Sequence, residues 1–522
     1  MAEGRKNNFI LHGSILAIAG IVVRIIGMLY RIPVVNIIGS EGNGIYGTAY
    51  NVYNIMLVLS SYGLPMAVSK LVSARFTKRR FKSARQVLIC SLSVAAFTGG
   101  IAAALVFFGA DFIEKYIYGG GVAGIAIPLR VLAPTIFLVA ILGTIRGFFQ
   151  GQGNMIPTAI SQIIEQIVNA VVSIVAGYLL MKEFADNANG SAYGAAGSTL
   201  GTAMGALSAL LFMLVLYFAY RPTFNRRIAK DKHKITKSNS DIYKIIITTM
   251  IPIILGQTFY QISALLDDVM FSNIMVGNMT ASQIAMDLGN FSSSYSLLIG
   301  IPQGVASAMS ASMLPSIVSS YTDKNIRDVH GKINKTLQTN MFIAIPSFVG
   351  LFVLGQPIIQ LLFSRYDSVQ GSTMLKIGAI AVVFYTLSTV TSSALQGVNK
   401  MNIPMRNSFI SLVIHMVAVF MLLKFTKLGI YAIVIGNMTF PIIIFILNCV
   451  ELYRDINYKI AVKKVFAKPL ISSCIMGIAT FAVYKGLTAA GAGNLLLILI
   501  AMIVALLSYF LPYILLSKKT DL

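Results

Sequence analysis

Two arginines stand in an otherwise apolar stretch near the start of the chain, VVRIIGMLYRIPVV at residues 22–35. Arg24 and Arg31 are seven residues apart, so in a helix their side chains lie on one face. A charged side chain in a hydrocarbon layer costs several kcal/mol unless it faces protein or water. A guanidinium group offers a planar fork of donors that matches a phosphate. The pair predicts an internal polar cavity for an anionic, phosphate-bearing ligand; the alternative is a structural arginine paired with a buried carboxylate.

The elements that position these arginines are predicted to be membrane-spanning helices. Of the 522 residues, 56% are hydrophobic and 11% are charged, and the mean hydropathy is +0.78. Apolar runs of about 20 residues, enough to cross a hydrocarbon layer of roughly 30 Å as a helix, recur along the whole chain. We expect an all-α integral membrane protein with fourteen transmembrane helices. Their predicted bounds are 11–36, 45–73, 86–109, 122–145, 157–181, 193–219, 245–272, 284–319, 341–363, 377–396, 407–423, 430–450, 469–484 and 495–516.

The formal net charge of +23 is unevenly distributed along the chain. With the N-terminus inside, basic runs such as ARFTKRRFKSAR at 74–85 and the segment 221–240 fall on the inner side. The outer segments IIGSEGNG and NIMVGNMTASQ carry no Lys or Arg. This positive-inside pattern predicts a multi-pass protein of the cell membrane with both termini cytoplasmic. Membrane phospholipid headgroups are the expected counter-charge, and no nucleic acid partner is expected.

A weak internal repeat suggests two related halves. GLPMAVS at 63–69 resembles GIPQGVA at 300–306, and FFQGQGNMIPT at 148–158 resembles ALQGVNKMNIPM at 394–405. Transporters are commonly built from duplicated units. We predict two pseudo-symmetric six-helix lobes plus two C-terminal helices. The predicted parts are an N-lobe at 1–220, a basic cytoplasmic linker at 221–243, a C-lobe at 244–455, and the last two spans with a cytoplasmic tail at 456–522.

The repeat places opposite charges at related positions. Its offset of 237 residues maps Asp267 and Asp268, near the outer end of the seventh span, onto Tyr30 and Arg31 of the first. If the lobes meet about a shared axis, Arg31 and the two aspartates are expected to close the outer mouth. The alternative is that these groups lie in the solvated headgroup zone.

Two further ionisable residues lie within predicted spans. Glu165, in ISQIIEQIVN, is expected either to neutralise Lys70 or Arg146, or to bind a coupling cation, Na⁺ or H⁺. Lys70 is a candidate for contact with an anionic ligand, although it is close enough to a span end to snorkel to water.

The chain offers little to catalysis or metal binding. It has four histidines, no HExxH motif and no Cys/His cluster, and Cys90, Cys449 and Cys474 fall within apolar runs. GNGIYG at 42–47 matches GxGxxG, but no strand precedes it, so we expect a tight turn of an outer hairpin instead of a dinucleotide site. The expectation is a protein that is not an enzyme and holds no metal or organic cofactor.

Several stretches resemble a known group of membrane proteins. They are IGSEGNGIYGTAYNVYNIM, GLPMAVSKLVS, RGFFQGQGNMIPTAISQIIEQIVN and LIGIPQGVASAMSASMLPSIVS. With the basic first span, they resemble the polysaccharide-flippase branch of the multidrug/oligosaccharidyl-lipid/polysaccharide (MOP) exporter superfamily. The likeness is strongest to the stage V sporulation protein B group of Gram-positive bacteria, which is related to the MurJ lipid II flippases. It covers essentially the whole chain.

This resemblance implies translocation of an undecaprenyl-pyrophosphate-linked glycan, above all the peptidoglycan precursor lipid II, from the inner to the outer leaflet by alternating access. Arg24 and Gly27 in VRIIG match the first-span Ser-Arg-x-x-Gly element of the MurJ proteins, whose arginine lies in the substrate cavity. A second first-span arginine of that pattern falls here on Tyr30, one place before Arg31. Spans 13 and 14 of the family form a groove for the lipid tail.

Three alternatives remain open from the sequence. A cation-coupled drug antiporter of the same superfamily would be expected to place carboxylates, not arginine, at the centre of its cavity. A flippase for capsule or O-antigen precursors fits the same residues. A scaffold that recruits cell-wall assembly proteins, without transport, would tolerate charge reversal at Arg24. Membrane potential is a further candidate for the driving force, because an inside-negative potential favours outward movement of an anion.

Overall fold

The computed structural model describes residues 2–234, 237–491 and 493–518, with side chains from residue 19 onward except at 21, 252, 260, 311 and 518. Within these ranges the regular structure is helical, with no strand. Two residues of the predicted linker (235–236) and the last four residues of the predicted tail lie outside the described part.

Contacts within the chain divide it into two compact units, Met1–Met286 and Asp287–Leu522. The predicted lobes are defined by a sequence repeat and not by contacts, so their boundaries stay a prediction. The helices of the first unit are α1 (Ala2–Ser61), α2 (Leu64–Thr77), α3 (Phe81–Phe112), α4 (Ala126–Gly151), α5 (Ile156–Glu183), α6 (Gly190–Ala229), α7 (Asn239–Met275) and α8 (Ala281–Asn290), which runs over the boundary.

The second unit contains eight further α-helices in its described part. They are α9 (Leu298–Thr322), α10 (Ile326–Leu362), α11 (Ser368–Gly378), α12 (Ala381–Gly397), α13 (Asn402–Phe425), α14 (Ile430–Ile456), α15 (Lys468–Ala489) and α16 (Asn494–Lys518). Single π-helical segments follow α3 at Ile113–Ile117 and precede α9 and α15 at Phe291–Leu297 and Lys463–Ala467.

Helix α1 is broken at one residue, Gly39. Its φ of 71° and ψ of −178° are not helical, and this region of backbone space is open to glycine because it lacks a Cβ. Residues on both sides of Gly39 are helical, including 42–47. The tight turn expected at GNGIYG is therefore wrong: those residues begin the second half of α1, and the change of direction occurs three residues earlier.

Twelve helical stretches in the described residues are long and apolar enough to cross a membrane, or up to thirteen if the bent pair α11 and α12 forms one span. The first stretch, Val22–Thr77, contains the second predicted span and the part of the first from residue 22 onward, because α1 continues past Gly39. The all-helical, multi-pass membrane architecture is confirmed, whereas the count of fourteen is not.

Glycines of α6 bring it close to α5, the helix that carries Glu165. A Cβ built on Gly201 would lie 2.6 Å from the carbonyl oxygen of Asn169, and one built on Gly205 would lie 2.6 Å from that of Glu165. Small residues at four-residue spacing let two membrane helices approach until their backbones touch. The hydroxyl of Ser173 adds a hydrogen bond of 2.7 Å to the carbonyl of Ser198. This packing fixes the position of α5.

One network of polar side chains lies inside the second unit. Asn407 donates to Asn448, which donates in turn to the hydroxyls of Thr391 and Ser392. The C-terminal helix packs onto α10, where the Tyr509 hydroxyl donates to the carbonyl of Phe342 at 2.7 Å. These bonds satisfy polar groups that would be costly in an apolar interior.

Candidate functional site

The break at Gly39 allows the two halves of α1 to face each other. The Arg31 guanidinium, on the first half, lies 5.7 Å from the ring centroid of Tyr46 on the second half. An arginine over an aromatic face is attracted by the negative potential of the ring, and the attraction grows as water is excluded. Arg31 is partly buried and Tyr46 is buried. The cation therefore lies against protein in this structure, and the internal polar cavity inferred from the sequence stays a prediction.

Three tyrosines continue from this contact along the second half of α1. The rings of Tyr46 and Tyr50 stack at 5.7 Å with an interplanar angle of 13°, and those of Tyr50 and Tyr53 lie 5.4 Å apart. Their spacing of four and three residues places them on one helix face. The result is an aromatic row that begins at a cation.

The first half of α1 lies against α5 at two points. At Gly27, an added Cβ would lie 3.2 Å from the side-chain nitrogen of Gln166, the residue after Glu165. At Tyr30, the hydroxyl accepts a hydrogen bond of 3.3 Å from the Asn169 amide. The residue that matches the glycine of the first-span motif is thus a close-contact position between α1 and α5.

Glu165 forms an ion pair with Arg146 of α4. The guanidinium Nη2 lies 2.7 Å from the carboxylate, and its Nε donates to the hydroxyl of Ser161 at 2.8 Å. The two side chains are 13% and 29% exposed, so water screens the pair only in part. Of the two partners considered from the sequence, the structure pairs Glu165 with Arg146. Whether Glu165 also binds a coupling cation stays a prediction.

Asp267 and Asp268 of α7 are both buried, at 3% and 6% exposure. Asp268 accepts a hydrogen bond of 2.8 Å from the side chain of Asn51, on the second half of α1. The aspartates therefore lie within protein in this structure and not in a solvated zone. The gate between them and Arg31 stays a prediction, because here Arg31 faces Tyr46 and Asp268 faces Asn51.

Arg24 and Lys70, the remaining predicted contacts for an anion, are both exposed. Arg24 precedes Gly27 by three residues, which places it next to the face of α1 that meets α5. Within the described residues, no group of three or more His, Cys, Asp or Glu side chains is arranged to hold a metal ion.

Sequence reasoning did not find the tyrosine row, Asn51 or Asn169. Tyrosines at helical spacing are common in packed interiors, so this row gives no sign of a functional role. Asn51 and Asn169 are uncharged, so nothing in the sequence marks them as partners of other polar groups. One signal was available: a buried carboxylate such as Asp268 needs donors, and these had to come from a helix packed against α7.

More than half of the chain matches the model of one protein family. Residues 12–321 match the model described as "Polysaccharide biosynthesis protein". The chain belongs to this family. Residues 252–421 also match the MatE family model, so the two matches overlap at residues 252–321.

Two curated relatives are similar to this chain over most of its length. The chain is 27% identical over 485 residues to the lipid II flippase MurJ of Bacillus subtilis (strain 168), covering 90% of this chain and 87% of that protein. It is 23% identical over 460 residues to stage V sporulation protein B of the same organism, covering 88% and 86%.

Solved structures agree with this assignment at the level of the fold. A lipid II flippase MurJ in an inward closed conformation matches with a TM-score of 0.71 at 16% identity, covering 97% of this chain and 99% of that one. An inward-facing MATE family multidrug transporter of the MOP superfamily matches with a TM-score of 0.68 at 16% identity, covering 84% and 98%. The predicted superfamily and fold are confirmed.

Proposed function

We propose that the protein is a flippase that moves an undecaprenyl-pyrophosphate-linked glycan, lipid II in the first place, from the inner to the outer leaflet by alternating access. The observation that carries the proposal is the match to a lipid II flippase over 90% of the chain. The basic first span supports it independently, because it supplies cations where a pyrophosphate would have to pass.

The physical task is to carry a polar head across hydrocarbon. Sugars and a pyrophosphate lose their hydrogen bonds to water there, which costs several kcal/mol for each unsatisfied group. A cavity that opens to one side at a time provides a polar route while the polyprenyl tail stays in lipid. No bond in the substrate is made or broken, so the proposed activity is transport and not enzymatic catalysis.

Within this proposal, the cations of the first two spans bind the anionic head. Arg24, Arg31 and Lys70 contact it, and Gly27 allows α1 to pack closely on α5. Tyr46 holds Arg31 by its ring in the state described above, and an arriving phosphate would compete with that contact. Asp267 and Asp268 are proposed as gate residues. For Glu165 we propose a structural role through Arg146, with cation binding as the alternative.

The proposed setting is the cell membrane, with both termini cytoplasmic. The basic segments between spans then lie on the cytoplasmic side, as the positive-inside rule requires. The proposed partners are the lipid-linked glycan and membrane lipids, and proteins of cell-wall assembly are a further class.

The test is translocation of lipid II in proteoliposomes, scored by accessibility in the outer leaflet under an imposed inside-negative potential. We compare the wild type with Arg24→Glu and with Arg221→Glu, an exposed position near the end of α6 that gives the same change of net charge. We expect transport by the wild type and by Arg221→Glu, and at least tenfold slower transport by Arg24→Glu, because a carboxylate would repel the phosphates.

Each variant must show the same cooperative thermal unfolding as the wild type, so that lost transport is not lost structure. Full transport by Arg24→Glu would reject the anion site on α1. No transport of lipid II by the wild type would move the proposal to another lipid-linked glycan, such as a capsule or O-antigen precursor, to be tested in the same vesicles.

A cation-coupled antiporter is the second candidate, favoured by the fold of the MATE transporter and by the MatE match. It is distinguished by its response to ions: drug efflux driven by a Na⁺ or H⁺ gradient, with no effect of Arg24→Glu. A scaffold without transport would show neither activity.

A further inference from the structure

A cleft of about 310 Å³ opens at the end of the first unit where α3 and α7 begin and α6 ends. Lys82, Arg85 and Ile89 of α3 line it, together with Gln86 and with Asn239 of α7. It lies outside the cation and tyrosine contacts of α1, and the proposed transport does not use it. Its chemistry is basic on one side and apolar on the other.

The cleft has two basic residues at the start of a helix, where acidic residues are usually favoured. Helix α3 begins at Phe81, so Lys82 and Arg85 lie in its first turns, and its first turn carries no acidic residue. The positive end of a helix dipole favours carboxylates and disfavours cations. Two cations at this end, three residues apart and on one face, therefore create a locally unfavourable excess of positive charge. Such a departure from the rule is expected where a ligand supplies the missing anion.

Neighbouring groups compensate this excess only in part. Asp231 is buried and accepts hydrogen bonds from the backbone N–H of Lys82 at 2.9 Å and from His233. Burial raises the pKa of the Asp231 carboxyl, but the hydrogen bonds outweigh burial and bring this pKa down to about 2. The group is therefore an anion at neutral pH. Within the described residues, no carboxylate lies within ion-pair distance of the Lys82 ammonium or the Arg85 guanidinium.

Two of the lining residues, Gln86 and Asn239, are joined by hydrogen bonds between segments distant in sequence. The Gln86 amide donates to the carbonyl of Lys237 at 3.0 Å and to the side chain of Asn239 at 2.8 Å. These bonds join α3 to the segment before α7. Lining groups that are already bonded to each other lower the entropy cost of ligand binding.

The apolar side of the cleft leads along the surface of α3. Ile89 is 52% exposed, and beyond the exposed Ser93 the apolar side chains Phe97, Ile101 and Leu105 follow at four-residue spacing on the same face. This stripe belongs to one of the stretches that can cross a membrane. A phosphate bound by Lys82 and Arg85 would thus have hydrocarbon-compatible surface directly beneath it.

We propose that this cleft binds the headgroup of an anionic phospholipid, with its phosphate at Lys82 and Arg85 and its acyl chains along the Ile89 stripe. A free phosphate shares the headgroup chemistry but has no use for the apolar stripe, so the lipid is the source that the geometry favours. Basic pockets between membrane helices are suited to anionic lipids, and each cation near the surface strengthens binding on the order of fivefold.

The experiment is native mass spectrometry of the full chain, delipidated in detergent and titrated with phosphatidylglycerol, phosphatidylcholine or inorganic phosphate. The variant Lys82→Gln/Arg85→Gln removes both cations. The control Lys232→Gln/Lys234→Gln removes two exposed cations nearby that do not line the cleft. A third variant, Ile89→Ser, changes only the apolar side. A photoactivatable phosphatidylglycerol then locates the bound lipid by peptide mapping.

We expect the wild type to bind phosphatidylglycerol more tightly than phosphatidylcholine and to cross-link within 82–105. Loss of both cations should weaken the first binding event about 10- to 30-fold, and the control should stay within about twofold. Ile89→Ser should weaken lipid binding and leave phosphate binding unchanged.

Unchanged lipid affinity in a folded Lys82→Gln/Arg85→Gln variant would overturn the proposal. So would cross-links confined to other helices, or phosphate bound as tightly as the lipid, which would make the free anion the ligand. None of these outcomes depends on transport, so the result stands or falls separately from the proposed flippase.

Discussion

At the scale of single residues, three charged groups inside the helices of the first unit are held by specific partners. Arg31 lies over the Tyr46 ring, Asp268 accepts from Asn51, and Glu165 pairs with Arg146. Each arrangement lowers the cost of placing a charge in an apolar span. A substrate anion or a gate contact would have to replace one of these partners, so the partners set how easily each charge can be released.

The Arg146 and Glu165 pair gives a residue-scale prediction. Glu165→Gln leaves the partly buried Arg146 guanidinium without its carboxylate, so we expect a loss of about 1–3 kcal/mol in unfolding free energy. Arg146→Gln should cost a similar amount. The double variant should cost less than the sum, because neither charge then lacks its partner. Reversible unfolding in mixed detergent measures all four proteins.

Transport assays on the same variants separate the two roles of Glu165. If the pair is structural, folded Glu165→Gln transports with an unchanged dependence on Na⁺ and pH. An ion dependence that disappears in Glu165→Gln and persists in Arg146→Gln would instead identify a cation site. Additive losses of stability would show that the two groups do not interact in solution.

At the scale of helices, the approach of α5 and α6 depends on missing side chains. An added methyl group at Gly201 would lie 2.6 Å from the carbonyl of Asn169, which is far inside contact distance. We expect Gly201→Ala to lower the unfolding free energy by about 1–3 kcal/mol, because the helices must separate or bend. Thermal unfolding in detergent measures the effect.

The matched control for this substitution is Gly350→Ala in α10. No atom lies within 4 Å of a Cβ built there, so only helix propensity changes, and alanine is the better helix former. We expect Gly350→Ala to leave stability unchanged or slightly raised. Equal destabilisation by both substitutions would mean that the α5 and α6 contact is looser than described.

Helices were the part of the structure most accessible from the sequence. Apolar runs of membrane length predicted nearly every spanning helix, because a polar backbone in lipid has few alternatives to the α-helix. The sequence places the turn of α1 at GNGIYG, because its three glycines are a stronger turn signal than one. In the structure the turn lies at Gly39, which has a positive φ, whereas Gly42, Gly44 and Gly47 do not. Because few charges lie in the spans, the sequence limits the partner of Glu165 to Lys70 or Arg146. Only the structure, in which α4 brings Arg146 next to α5, decides between these two cations.

At the scale of the whole molecule, the proposed transport moves net negative charge outward. An inside-negative potential should therefore assist it, by about 2.3 kcal/mol for each charge that crosses the full field at 100 mV. If the transition state lies halfway through the field, the rate should rise roughly sevenfold for each charge. The effect belongs to the entire path and not to one residue, so it persists in variants that keep the anion site.

Proteoliposomes with potassium diffusion potentials of either sign test this prediction. We expect inner-to-outer transport of lipid II to accelerate when the interior is negative, to slow when it is positive, and to fall between these rates with equal potassium on both sides. Omitting Na⁺ and collapsing the pH gradient at a fixed potential should not change the order. A rate that ignores potential but follows an ion gradient would assign the driving force to a co-transported cation, and Glu165, Asp267 and Asp268 would then be the first carboxylates to examine.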